Sequence, residues 1–89
     1  MEKILTKHFA GKKGWNIEKK KYDIVRKAII ACLKGKELTY TDLVKCVKKR
    51  IPDFEGSFPW YVEVVKLDLE ARKIIKRTNM TPQIYRLVK

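Results

Sequence analysis

The side chains equipped for chemistry are few and scattered. His8 is the chain's one histidine, and the segment Gly11-Lys12-Lys13-Gly14 interrupts regular structure just after it. No Ser/His/Asp or Cys/His set with a structured base can be assembled around such a residue. Cys32 and Cys46 lie fourteen apart with no second Cys or His at ligand spacing, so no metal centre is expected. Two cysteines in a small domain could pair in an oxidising compartment, but each falls within a helical pattern. Free Cys is among the most buried residue types, so the reading is two reduced, buried thiols. Asp68 and Glu70 are two apart on a helix, point different ways and cannot share a proton-transfer task. Gly11-Lys12-Lys13-Gly14 lacks the preceding strand and the spacing of a phosphate loop. The residues therefore argue for a non-enzyme, with no cofactor, no metal and no evident small-molecule ligand.

What the chain does possess is positive charge. Its 89 residues carry 22 Lys+Arg against 10 Asp+Glu, a formal +12 at pH 7. The excess is steepest early: residues 1–36 hold eleven basic groups and three acids, residues 37–89 eleven and seven. Such a balance points to polyanions as partners and says nothing of fold. Seventeen of the basic residues are Lys and five are Arg. Lys offers phosphate a hydrated point charge, whereas Arg supplies the planar fork that reads guanine, so backbone attraction is favoured over base reading. Heat-adapted proteins also accumulate Lys without binding anything. The length allows one domain, and 45% hydrophobic residues suffice for a core. Residues 1–7 have no continuous apolar run of a secretory leader, and no stretch approaches the ~20 apolar residues that span a bilayer. The expectation is a cytoplasmic protein without a membrane partner.

The elements that must position these charges follow from periodicity. Residues 1–16 read as a flexible or docking arm, in which Ile4, Leu5, Phe9 and Trp15 are the apolar groups able to pack on the domain. A first helix begins near Asn16 as N-cap, buries Tyr22, Val25, Ala28, Ile29, Cys32 and Leu33, and ends at Gly35. Glu37-Leu38-Thr39 is long enough for a single bridging strand. Thr39 then caps a second helix whose inner face is Leu43, Val44, Val47 and Ile51, with Pro52 as its stop. A third helix starts at Ser57 and tolerates Pro59 in its first turn. The β-branched runs Lys73–Arg77 and Gln83–Val88, separated by Asn79-Met80-Thr81-Pro82, predict a hairpin.

At 100° per residue the third helix has an unusual surface. Phe58, Val62, Val65 and Leu69 fall within about 40° of one direction and face the core. Trp60, Val64, Leu67 and Ala71 gather on the opposite side, between about 180° and 240°. Glu63, Lys66 and Glu70 fill a polar wedge from about 80° to 140°. Over residues 58–72 the charge is −1. A helix with two apolar faces and an acidic wedge is poorly suited to a phosphate-lined groove. Its second face, through Trp60, Val64 and Leu67, is expected to meet the arm, a symmetric partner in a homodimer, or another protein.

The order helix, short strand, helix, turn, helix, hairpin is the layout of a winged helix-turn-helix: an α+β, mainly α fold of three helices, a bridging strand and a C-terminal wing. The stretch Leu67–Arg77 resembles the passage from third helix to wing in transcription-factor domains of that type, with Lys73 where Gly is usual. Lys21-Tyr22-Asp23, Leu38-Thr39, Trp60-Tyr61 and Lys66–Arg72 are similar to a family of short uncharacterised prokaryotic winged-helix-like proteins, over roughly residues 17–88. The resemblance implies a winged-helix domain at 17–89 behind the arm and imports no activity. The function expected is nucleic-acid binding, to double-stranded DNA, in a regulatory or architectural role. Its cations would be Lys19, Lys20, Lys21, Arg26 and Lys27 on the first helix, Lys48, Lys49 and Arg50 ending the second, and Lys76, Arg77 and Arg86 on the wing. Lys12, Lys13, Trp15, Lys19, Lys20, Lys21 and Tyr22 interleave bases with aromatics, which suits gripping a backbone and stacking on exposed bases. The alternative is a protein-interaction or dimerisation module using Trp60, Val64 and Leu67.

Overall fold

The computed structural model describes residues 3–6, 14, 16–78 and 83–88; His8, Phe9, Lys12, Lys13, Trp15 and the expected hairpin loop at 79–82 lie outside them. The chain folds as α+β, mainly helical, in the order β1 (Lys3–Leu5), β2 (Asn16–Glu18), α1 (Lys19–Leu33), β3 (Leu38–Thr39), α2 (Tyr40–Arg50), α3 (Phe58–Ala71), β4 (Ile75–Arg77) and β5 (Ile84–Leu87).

The amino-terminal region departs from expectation. Asn16 does not cap a helix: it opens β2, which pairs antiparallel with β1 in the register Ile4↔Ile17, and α1 starts only at Lys19 with Glu18 as N-cap. Burial explains the choice, because Ile17 is 3% exposed between two outward neighbours, the alternation of a strand and not of a helical turn. The described part of the expected arm thus packs on α1. Gly14 is held close to Thr6, and a side chain at 14 would run into the Thr6 backbone.

The helices follow their periodicities. All six expected residues of α1 are buried. Gly35 follows at φ 73°, the left-handed geometry that ends a helix. In α2 the Thr39 side chain accepts from the Asp42 amide at 3.2 Å, Leu43 and Val47 are fully buried, and Val44 and Ile51 pack at the core's margin. Cys32 and Cys46 are not reduced thiols. They are joined in a disulfide with Cα atoms 6.0 Å apart, because the packing of α1 against α2 brings the two helix faces together. No helix among the described residues is long and apolar enough to cross a membrane.

β5 is the central strand of an antiparallel sheet ordered β3-β5-β4, with Leu38↔Tyr85 on one side and Lys76↔Arg86 on the other. Between α3 and β4 the chain turns at Lys73, which takes φ 62°. That conformation costs a non-glycine residue roughly 1–2 kcal/mol, at the position where the resembled family carries Gly.

α3 is far more enclosed than its wheel implies. Val62, Val65 and Leu69 are fully buried as expected, but Val64, Lys66 and Asp68 are buried too. Val64, assigned to an outward interface, is therefore core. Lys66 and the side chain of Glu70 in the polar wedge face inward, while Glu63 stays half-exposed. Lys66 Nζ lies 3.1 Å from Glu63 and 3.7 Å from Glu70, donates to the Tyr85 hydroxyl at 3.3 Å, and sits over the rings of Tyr40 and Tyr85 at 5.0 Å. Arg77 from β4 grips Glu70 with two bonds of 2.9 and 3.0 Å. These contacts tie α3 to the sheet.

Candidate nucleic-acid interface

Two ends of the molecule collect the cations. At the first, the amino-terminal turn of α1 supplies Lys19, Lys20 and Lys21, and the last turn of α2 supplies Lys48, Lys49 and Arg50, where the helix dipole favours positive charge. The turn from Ile51 to Ser57 joins them to the start of α3. Its aromatic residues form a chain of tilted rings: Phe54–Phe58 at 6.2 Å, Phe54–Tyr61 at 5.2 Å and Trp60–Tyr61 at 5.0 Å between centroids. Lys21 Nζ lies over Tyr61 at 5.5 Å and Lys48 Nζ over Phe58 at 5.0 Å, so both ammonium groups are held beside the aromatic cluster. A cavity of about 610 Å³ opens here, lined by Lys20, Lys21, Ile24, Arg50 and Phe54 together with the acids Glu18, Asp53 and Glu55.

Pairing separates the cations that are spent from those that are not. Lys19 is bonded to Asp23 at 3.0 Å, one turn away. Lys20, Lys27, Lys48, Lys49 and Arg50 are exposed, Lys21 and Arg26 half-buried, and no ion pair holds any of them among the described residues. The second end is the sheet. There Arg77 is committed to Glu70 and to Gln83 at 3.2 Å, while Lys76 and Arg86 remain exposed. α1 has 15 residues, about 22 Å at 1.5 Å per residue, and it separates the two ends. The cations expected on α1, the α2 end and the wing therefore stand in two patches.

The expected stacking aromatic on α1 does not serve. Tyr22 is 3% exposed, and its hydroxyl donates to Asp68, which also accepts from Arg72 Nε at 2.9 and 3.0 Å. Burial first, then the bond to the Asp68 carboxylate, pushes the Tyr22 phenol up to about 12. Arg72 in turn is raised above its ordinary value by its own hydrogen bonds to the Asp68 carboxylate. Tyr40 is pushed up by burial and by Glu63 beside it. Near the Lys clusters only Trp60, among the described residues, is an exposed ring; Phe54, Phe58 and Tyr61 are half-buried at the core's margin, in a turn and a helix start whose sequence, with Phe58 on the core face, does not by itself join them to the Lys clusters. Their spacing of three and four across the α3 start was the available signal.

Among the described residues no group of three or more His, Cys, Asp or Glu is arranged to hold a metal ion. The arrangement sets cations that have no ion-pair partner among the described residues beside a cluster of partly exposed rings. Neither a characterised protein nor a solved structure matches the chain. One family model does, over residues 3–85, and the chain accordingly belongs to that family of unknown function, DUF6958.

Proposed function

We propose that the protein is a small nucleic-acid-binding module of winged-helix type, not an enzyme, and that it holds duplex DNA by phosphate contacts from the α1–α2 end. The winged-helix reading draws support from the strand order β3-β5-β4 behind three helices, and from the left-handed turn at Lys73 leading into the wing. The observation that carries the function is the group Lys20, Lys21, Lys48, Lys49 and Arg50, gathered at one end with no ion-pair partner among the described residues. The polar wedge of α3 is consumed by Lys66–Glu63, Lys66–Glu70 and Arg77–Glu70, so base reading by that helix is not part of the proposal. Binding is then sequence-tolerant and salt-sensitive.

Fluorescence anisotropy of a labelled random duplex at several salt concentrations tests this. Sub-micromolar binding at low salt is expected, with a slope of about −0.9 in log K against log salt for each phosphate neutralised. The triple variant K20E/K21E/R50E should bind at least about tenfold more weakly and flatten that slope. Affinity weaker than about 10⁻⁴ M at physiological salt, or a triple variant that binds as the wild type does, overturns the proposal.

A second reading rests on Trp60, which is 37% exposed on the outer side of α3, with Leu67 and Ala71 half-exposed beside it. In that reading the face docks a protein or a second copy.

A further inference from the structure

The opposite end of the molecule holds a second concave site. It lies between the end of α1 and the sheet, has a volume of about 660 Å³, and is lined by Leu33, Lys36, Glu37, Lys76, Arg86 and Val88, among others. Small-molecule sites occupy this range of volumes.

Its charges are arranged against the interest of the fold. Lys76 and Arg86 are direct partners across β4 and β5, and both are exposed, while the pairs on either side, Ile75↔Leu87 and Arg77↔Tyr85, carry the buried Ile75 and Tyr85. Like charges directly opposite on one face of a sheet destabilise it. A single acid offsets them. Glu37 Oε2 stands 3.8 Å from Arg86 Nη1, with both side chains about half exposed, which makes a loose pair. Lys76 has no ion-pair partner among the described residues, and Lys36 adds a third cation. Behind this row the lining is apolar: Leu33 and Leu87, with Val88 left 41% exposed.

We infer that this site binds a phosphomonoester carried on a small aliphatic body. Three cations against one carboxylate leave two positive charges, which matches a phosphomonoester near neutral pH, at about −1.5 to −2. Arg86 offers the fork that engages two phosphate oxygens, Lys76 and Lys36 supply point charges, and the aliphatic part lies against Leu87 and Val88. A bare anion would leave that apolar wall wet. The site stands apart from the α1–α2 end and does not depend on the nucleic-acid proposal.

The test is a titration of the full chain with n-octyl phosphate, followed by backbone amide shifts. Saturable shifts centred on Lys36, Lys76, Arg86 and Val88 are expected, with affinity at least about tenfold above that of inorganic phosphate, because several methylenes of the octyl chain leave water against the apolar wall. K76E/R86E should abolish these shifts while leaving the melting transition in place, and K20E/K21E/R50E should retain them. Co-sedimentation with vesicles containing phosphatidic acid would place the phosphomonoester on a bilayer, and saturation by octyl phosphate without co-sedimentation would make it a soluble ligand; both support the site. Equal affinity for inorganic phosphate overturns it, as does octyl phosphate binding unchanged in K76E/R86E. An absence of shifts also overturns it, and a loss of duplex binding in K76E/R86E would then return these cations to the nucleic acid.

Discussion

Tyr22 shows how much a single buried hydroxyl does here. Its phenol is enclosed beneath α3 and donates to Asp68, itself fully buried and bonded to Arg72, so one carboxylate joins α1 to α3. Because burial and Asp68 hold the phenol up at about 12 against an ordinary 10.0, its neutral form is favoured in the fold. The sign follows. Below about pH 10 both folded and unfolded chains keep the proton, and the contribution is complete. Between about pH 10 and 12 the unfolded chain loses its proton first, and stability falls as pH rises. The fall attributable to Tyr22 is on the order of 2–3 kcal/mol. Urea denaturation of wild type and Tyr22→Phe should therefore show a stability difference that shrinks across that window; a difference constant with pH would mean that the phenol is not held in this way. That Tyr22 is inward was legible from its place in the series with Val25 and Ile29. Its partner was not, because Asp68 is 46 residues away and looked like one of several surface acids.

Among the elements, the pairing of α1 with α2 carries a covalent tie between Cys32 and Cys46. In the chain-entropy account, closing a loop of about fifteen residues is worth roughly 3 kcal/mol. Thermal unfolding monitored with and without reductant should show the wild type melting about ten degrees or more lower once reduced, and the variant C32A/C46A indifferent to reductant. A wild type unmoved by reductant would show that helix packing alone sets the stability. α1, α2 and α3 were readable because long apolar series at helical spacing leave little choice of face. β1 and β2 were not. Three extended residues with one buried Ile17 look, in one dimension, like the turn that leads into a helix, and the strand they pair with lies on the far side of a glycine-containing connection. The bond between the cysteines was missed for a related reason. Spacing says which helix face each occupies, but only the crossing of the helices says that the two faces meet.

For the whole molecule, the question is what covers the outer side of α3. A docking role expects a sedimentation mass that rises with concentration in the wild type and stays at the monomer in Trp60→Glu; a wild type monomeric at every concentration removes the homodimer. The surface in question is smaller than the wheel implied, since Val64 belongs to the core. By itself the sequence determined the net charge of +12, the three helices with their inner faces, the Thr39 cap, the left-handed exit at Gly35 and the hairpin after Arg72. Each of these is a matter of composition or of neighbours within a few residues, where local sterics and periodicity act. The tertiary structure alone decided that the cations stand in two patches, that Arg77 is spent on Glu70, that Lys66 and Asp68 are interior, and that the cysteines are bonded. Those are distances between residues remote in sequence, and a charge or a thiol acquires its role only from what packing sets beside it.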